Sequence, residues 1–315
     1  MLTDRGRHLA QAKWFLTLIA AAIPQLLSLG ACADEAEKTD NPQLVVRYDG
    51  GELVYKTDEL LMRDDLEEIT ITDVAAYPRQ EVTFRAVRMA NLLEPIDIAD
   101  DATIEFTAVD GFALAITPKV LLNTSPDQSV AYLAIEDPAR KWPLRPNGDT
   151  AGPYYLFWLN PELSNIGREE WPFQIDVIEI RSALESIYPA IFPAKDIPVD
   201  DPIRKGLQSF VKNCLTCHTM NGEGPASMGP DLNLPMSPVE YFRDGILRTF
   251  IRDPQSIRLY PTTPMAGFGT DLIADEELDQ LLAYMTHMVE RRTDDASATE
   301  QIDVERADPN EAVEN

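Results

Sequence analysis

The chain has 315 residues, more than one typical domain needs, and its apolar fraction of 44% excludes an intrinsically disordered chain. Its 27 basic and 53 acidic residues give a formal net charge of -26, and such a surface repels phosphate backbones, which excludes nucleic acid as a partner. The charge favours encounters with basic proteins instead, although acidity that only keeps the chain soluble is the alternative.

The N-terminus has the pattern of an export signal. A few basic residues form a positive start, and the largely apolar stretch 14–29 that follows is short for a membrane span. Small residues and then Cys32 end this stretch, and a polar run comes after the cysteine. The sequence therefore predicts a signal peptide over residues 1–31 and a polar tether over residues 32–43.

The segment Leu29-Gly30-Ala31-Cys32 resembles the lipobox of bacterial lipoproteins. In that family the cysteine receives a diacylglycerol and becomes the new N-terminus, and several acyl chains give stable anchoring. The resemblance implies lipidation of Cys32, a periplasmic location and attachment to a membrane, with Ala33 after the cysteine favouring the outer membrane. Ordinary signal cleavage nearby, with an incidental Cys32, is the alternative.

Short strand patterns dominate the next part of the chain. Asp49-Gly50-Gly51 separates two apolar runs and Asp110-Gly111 joins two alternating runs, and both are hairpin signals because such residues tolerate positive φ. These patterns predict a β-rich α+β domain over residues 44–188. The strand candidates are 44–48, 52–56, 69–74, 81–86, 103–109, 112–116, 130–135, 154–159 and 174–180, and a short helix is expected near 87–93.

This β-rich part resembles the molybdopterin-binding domain of the sulfite oxidase family over about residues 44–182. The resemblance rests on the order of the segments 84–93, 107–112, 142–146 and 152–153. In that family a cysteine thiolate binds molybdenum, but no cysteine lies between Cys32 and Cys214. We therefore expect a scaffold of that fold that docks a partner or binds another small molecule. An unrelated β-sandwich is the alternative.

Composition divides the rest of the chain into three parts. Prolines cluster among acidic residues over 189–202, which predicts a linker because proline at this density resists both helix and central strand. Helical patterns dominate residues 203–292. The final stretch, 293–315, is acidic and almost free of large apolar residues, so it is expected to be disordered.

The strongest motif is Cys214-Leu215-Thr216-Cys217-His218. Two thiols at this spacing can each add across a vinyl group of one haem, and the histidine that follows is then held under the iron as an axial ligand. A thiol-redox motif would follow a strand in a βαβ pattern, which is absent here, and zinc needs more ligands than His8 and His287 can supply. The motif therefore predicts one covalent haem c.

The helical part resembles the class I cytochrome c family over residues 203–292, an all-α fold. Gly206 and Phe210 stand on the first predicted helix, and Leu281 and Tyr284 stand on the last. In the family a glycine and an aromatic residue on the first helix cross the C-terminal helix. The resemblance implies that the glycine allows close approach of the two backbones and that the aromatic ring fills the crossing.

The same resemblance implies the remaining haem contacts. In the family a methionine before the last helix is usually the second axial ligand, and Met265 is the matching residue, although its proline neighbour, Pro264, precedes it instead of following it. The carbonyl of Pro230 matches the family's acceptor for the free nitrogen of the axial histidine. Met220 lies too near the attachment loop to reach the other haem face. His287 would make a bis-histidine haem.

Taken together, these patterns predict a membrane-anchored periplasmic cytochrome that carries single electrons between redox partners, and an electron carrier more than a catalyst. The partners are expected to dock through basic surfaces. A two-domain oxidoreductase, with a substrate or molybdopterin site in the N-terminal domain and the haem as electron outlet, is one alternative. A haem-based sensor or ligand-binding module, which would need an open sixth position, is another.

Overall fold

The computed structural model describes residues 41–243, 245–258 and 265–292 of the chain. The predicted signal peptide, the lipidation candidate Cys32 and the predicted disordered tail lie outside these residues. Within the described ranges no helix is both long and apolar enough to cross a membrane.

Nine strands in two sheets form the described part of the chain that precedes residue 182. The five-stranded sheet has the order β2-β1-β9-β5-β6, and the four-stranded sheet has the order β3-β4-β7-β8. Strands β1 and β9 pair in parallel, and the other described pairs are antiparallel. The strands are β1 Gln43–Tyr48, β2 Gly51–Lys56, β3 Glu67–Val74, β4 Tyr77–Arg88, β5 Thr103–Ala108, β6 Ala113–Ile116, β7 Val130–Ile135, β8 Tyr154–Leu159 and β9 Ile175–Arg181.

Both predicted hairpins are present. Tyr48 pairs with Gly51 across the first turn, and Thr107 pairs with Ala113 across the second. The β-rich prediction for this part of the chain is therefore confirmed, whereas its likeness to the sulfite oxidase fold stays a prediction. We call residues 41–181 the β-rich region.

An aromatic cluster fills the core of the β-rich region. The ring of Phe84 lies 5.0 Å from Trp142, 5.6 Å from Tyr155 and 5.2 Å from Phe157, measured between centroids. All four side chains are buried. Edge-to-face and tilted contacts of this kind add to the hydrophobic stabilisation that burial itself provides. Strand β7 is buried along its whole length, which explains its continuous apolar sequence.

Three short α-helices lie among the strands, and six more α-helices follow β9 in the described part of the chain. They are α1 Thr57–Leu61, α2 Met89–Leu93, α3 Pro118–Leu121, α4 Leu184–Ile187, α5 Pro202–Asn213, α6 Pro238–Tyr241, α7 Ile246–Arg252, α8 Pro254–Ile257 and α9 Asp275–Val289. We call the described residues from 202 to 292 the helical region.

Local sequence explains where the two longest helices begin. The carboxylate of Asp201 accepts a hydrogen bond from the Ile203 N–H group at 2.8 Å, and Pro202 occupies the first position of α5, where its missing N–H is not needed. Helix α9 begins with three acidic residues, which suit the positive end of the helix dipole.

The crossing of α5 and α9 organises the helical region. A methyl group on Gly206 would overlap the carbonyl oxygen of Gln280 and the Cβ atom of Tyr284, so the two backbones approach as closely as glycine permits. The rings of Phe210 and Tyr284 lie 5.3 Å apart at the same crossing, and both are fully buried. Leu281 is buried beside them.

The proline-rich segment 189–202 lies along α9. The Tyr284 hydroxyl donates to the carbonyl oxygen of Ile191 at 2.6 Å, and the N–H group of Ala194 donates to Nε2 of His287 at 3.1 Å. Ile191 is fully buried in the core of the helical region. The composition of this segment suggested only a linker, and the domain boundaries drawn from it stay a prediction.

Candidate haem site

The attachment motif follows α5 directly and folds back on that helix. The Cys214 N–H group donates to the carbonyl oxygen of Phe210 at 2.8 Å, which continues the helical hydrogen bonding by one residue. The Cys214 carbonyl then accepts from the N–H groups of Cys217 at 3.0 Å and His218 at 2.8 Å. These bonds close a tight turn that holds both cysteines and the histidine in one short loop.

The two cysteines are partly buried and are not joined in a disulfide. Burial raises the pKa of Cys214 to about 12 and the pKa of Cys217 to about 11. Thiols with such values stay protonated at neutral pH, whereas redox-active and metal-binding cysteines act as thiolates. Burial therefore favours the protonated thiol at both positions.

His218 is oriented by a backbone acceptor. Its Nδ1 atom lies 2.8 Å from the carbonyl oxygen of Pro230, and since a carbonyl can only accept, Nδ1 carries the proton. Burial lowers the pKa of His218, which favours the neutral ring. Nε2 is then left with a free electron pair, the state in which imidazole binds a metal.

Gly229, the residue before Pro230, packs directly against the His218 ring. A methyl group on Gly229 would overlap Nδ1 and Cε1 of His218, and the Gly229 N–H group donates to the carbonyl oxygen of Cys217 at 2.7 Å. The segment that presents the Pro230 carbonyl is thereby fastened to the attachment loop itself.

Asp231 organises the chain around this segment, a role that the sequence reading missed. Its carboxylate accepts hydrogen bonds from the N–H groups of Gly222, Asn233 and Leu234, each at 2.7 Å. The Asn233 side chain donates to the carbonyl oxygen of Met288 at 2.6 Å, which connects this turn to the end of α9. The Asp-x-Asn pattern after Gly-Pro is a turn signal that could have indicated the contact between Asp231 and the Asn233 N–H group.

Met265 lies at the edge of the helical core, partly buried against it. The segment after it is fixed to α7, because the Phe268 N–H group donates to the carbonyl oxygen of Ile251 at 2.9 Å. Arg252 donates to the carbonyl oxygens of Phe268 at 2.9 Å and Gly269 at 3.0 Å. Pro264, just before Met265, lies outside the described residues. The assignment of Met265 as a ligand stays a prediction.

The rival ligands have other contacts. His287 accepts a hydrogen bond at Nε2 from the proline-rich segment, and Met220, Met285 and Met288 are buried in the helical core. Among residues 41–243, 245–258 and 265–292, no group of three or more His, Cys, Asp or Glu side chains is arranged to hold a bare metal ion.

The donor set fits a covalently attached haem. It consists of two unpaired thiols on one loop and an imidazole whose Nδ1 is already bonded. A loop of this kind between two crossing helices defines a small helical haem-binding domain.

Comparison with known families agrees with this class. Residues 203–288 match the family described as Cytochrome c, which covers the attachment loop and both crossing helices. The match confirms the predicted haem c and supports an electron-carrying role for the helical region. No curated protein matches the chain significantly.

Proposed function

We propose that this protein is a periplasmic mono-haem c-type cytochrome, anchored to a membrane through Cys32, that carries single electrons between redox proteins. The observation that carries the proposal is the His218 geometry, in which Nδ1 is bonded to Pro230 and Nε2 is left for iron, inside the part of the chain that matches cytochrome c.

Each site residue has a defined role in this proposal. Cys214 and Cys217 would hold the haem through thioether bonds, and His218 and Met265 would be the iron ligands. The haem supplies reversible one-electron exchange at its iron. The Pro230 carbonyl keeps the His218 ring in one orientation and strengthens its donor nitrogen. A thioether ligand favours the reduced iron and so raises the reduction potential.

The β-rich region is proposed to act as a scaffold rather than as a molybdenum enzyme. The chain has three cysteines, Cys32, Cys214 and Cys217, so the β-rich region has no thiolate that could bind molybdenum. The chain has a net charge of -26, which supports the proposal that its redox partners dock through basic surfaces.

Elemental analysis of the natively matured protein tests the proposal. We expect about one iron and no molybdenum per chain, and a mass that includes one covalent haem. The C214A/C217A variant should lose the covalent haem, whereas C32A should keep it and appear in the soluble fraction. Stoichiometric molybdenum would instead support the two-domain oxidoreductase, and a wild-type protein without iron would contradict the haem assignment.

A further inference from the structure

The haem-attachment loop is bonded to the free edge of a β-sheet. Strand β6 is the edge strand of the five-stranded sheet, and the N–H group of its first residue, Ala113, donates to the carbonyl oxygen of Thr216 at 3.0 Å. Thr216 stands between the two haem cysteines and is fully buried. Edge strands offer unpaired N–H groups, and here one of them binds the loop that holds the cofactor.

The hairpin before β6 contacts the segment that orients His218. The carbonyl oxygen of Gly111 accepts from the Ser227 N–H group at 3.1 Å, and a methyl group on Gly111 would overlap the Ser227 hydroxyl oxygen. Ser227 is followed by Met228, whose sulfur lies 3.9 Å from the Cys217 sulfur. The hairpin tip therefore lies against the stretch that leads to Pro230.

A second contact reaches the segment that carries Met265. The guanidinium carbon of Arg168 lies 5.4 Å from the centroid of the Phe268 ring. Phe268 follows Met265 by three positions, and its N–H group is bonded to α7. A cation over an aromatic face is an attractive contact, and this one joins the β-rich region to the other ligand segment.

A third contact fastens the helix from which the attachment loop emerges. Lys212, in the last turn of α5, donates to the carbonyl oxygen of Asn165 at 2.6 Å and lies 3.6 Å from the Glu170 carboxylate. Glu170 is in turn bonded to the Gly167 N–H group at 2.6 Å. These groups belong to the loop that also presents Arg168.

We propose that the β-rich region fixes both axial-ligand segments of the haem and thereby sets its reduction potential, with Gly111 and Arg168 as positioning residues. This inference rests on the proposed function, because it needs a haem bound by Cys214, Cys217 and His218. It gives the N-terminal half of the chain a role in electron transfer that needs no second cofactor.

The direction of the effect follows from solvation. The oxidised haem carries one more positive charge than the reduced haem, so water at the attachment edge stabilises the oxidised form and lowers the potential. Thr216, which the hairpin strand contacts, is fully buried, so the middle of the attachment loop is closed to water. Loosening the contact is therefore expected to lower the midpoint potential. The Pro230 carbonyl keeps its own anchor, because the Gly229 N–H group is bonded to the Cys217 carbonyl.

The first test compares two glycines with similar backbone conformations in the natively matured full-length protein. Gly111 has φ +86 and Gly148 has φ +91, but a methyl group on Gly148 would meet nothing within 4 Å. Both G111A and G148A therefore carry backbone strain, and only G111A disturbs the contact with Ser227. In a redox titration we expect G111A to shift the oxidised-to-reduced ratio about tenfold, which is about 59 mV downward, and G148A to keep the wild-type midpoint. The double variant G111A/S227A, which removes the overlapping hydroxyl, should recover most of the shift.

The second test removes an ion pair without changing the net charge. Arg168 pairs with Glu169 at 2.8 Å. Arg47 of β1 pairs with Glu52 of β2 at 3.2 Å, at the end of the five-stranded sheet opposite to β6. We expect R168Q/E169Q to lower the midpoint and R47Q/E52Q to leave it unchanged. If G111A fails to mature, the comparison of these two double variants still tests the positioning role.

The outcomes separate the two proposals. Wild-type midpoints for G111A and R168Q/E169Q, in proteins that carry haem, would overturn the positioning role and leave the cytochrome assignment intact. A wild-type protein that carries no haem would overturn the proposed function itself.

Discussion

Nδ1 of His218 lies 2.8 Å from the carbonyl oxygen of Pro230, and Gly229, the residue just before that proline, lies against the same imidazole ring. The close packing explains why the position holds a glycine, since any Cβ atom there would displace the ring. The orientation and the donor strength of the proposed iron ligand therefore depend on two adjoining contacts within one short segment.

The Gly229 contact gives the first prediction. G229A should push the His218 ring away from Pro230, and because the lost hydrogen bond makes the imidazole a weaker donor, the oxidised iron is less stabilised and the midpoint should rise. Redox titration measures this, and G245A is the control, because a methyl group on Gly245 would meet nothing within 4 Å. Equal midpoints for both variants would contradict the role of the Pro230 bond.

The helix crossing gives the second prediction, which concerns the sign of the stability change when Gly206 is replaced by Ala. In an isolated helix, replacing Gly206 by Ala would stabilise by about 1 kcal/mol. At this crossing the added methyl group overlaps Gln280 and Tyr284, so we expect G206A to destabilise the protein by about 1–3 kcal/mol in urea unfolding. Q208A, on the exposed side of the same helix, should stay within about 0.5 kcal/mol of wild type. A stabilised G206A protein would show that the helices have room to separate.

Sequence patterns predicted those parts of the molecule that depend on neighbouring residues. The Asp110-Gly111 hairpin, the attachment loop 214–218 and the two helices α5 and α9 are signalled by local turn chemistry, motif spacing and helical periodicity. The crossing of α5 and α9 is implied only by the resemblance to class I cytochrome c. The bond between Ala113 and Thr216 could not be predicted in this way, because it joins a sheet edge to a loop far along the chain. Strand alternation shows which residues face the core, but it does not show which strand will form the edge or what will cover it.

The proline-rich segment shows the same limit. Its composition argues against an α-helix and a central strand, but composition cannot show that Ile191 is buried or that its carbonyl accepts from Tyr284. The bond from the Gly222 N–H group to Asp231 cannot be predicted for a related reason, since it joins two parts of the loop nine residues apart.

The identity of the second axial ligand gives the third prediction. M265A should remove a strong ligand, so the optical spectrum of the oxidised protein should change and the midpoint should fall, because a thioether favours reduced iron. M236A is the matched control, since Met236 is a methionine of the same region and is 51% exposed. Unchanged oxidised and reduced spectra in M265A would exclude Met265 as the ligand.

The last prediction concerns pH and a buried carboxylate in the β-rich region. Glu105 on β5 is almost fully buried beside Arg181, with Nη1 of the arginine 3.1 Å from Oε2 of the glutamate. Burial raises the pKa of Glu105 above its ordinary value of 4.5, and the neighbouring Glu179 adds to this, whereas Arg181 and Tyr188 oppose it. The folded state therefore holds this proton more tightly than the unfolded state does.

The sign of the stability change follows from that difference. Between pH 4.5 and the raised pKa of Glu105, the folded state binds more protons at this site than the unfolded state, so its contribution to the free energy of unfolding falls as pH rises. The free energy of unfolding is measured by urea unfolding at each pH for wild type and for E105Q, and the difference between the two values isolates this contribution. We expect the difference to decline across that window. E68Q, which removes a carboxylate that is 64% exposed, serves as the control. A difference that rises with pH would mean that the Arg181 pair outweighs burial and that Glu105 is held in its charged form.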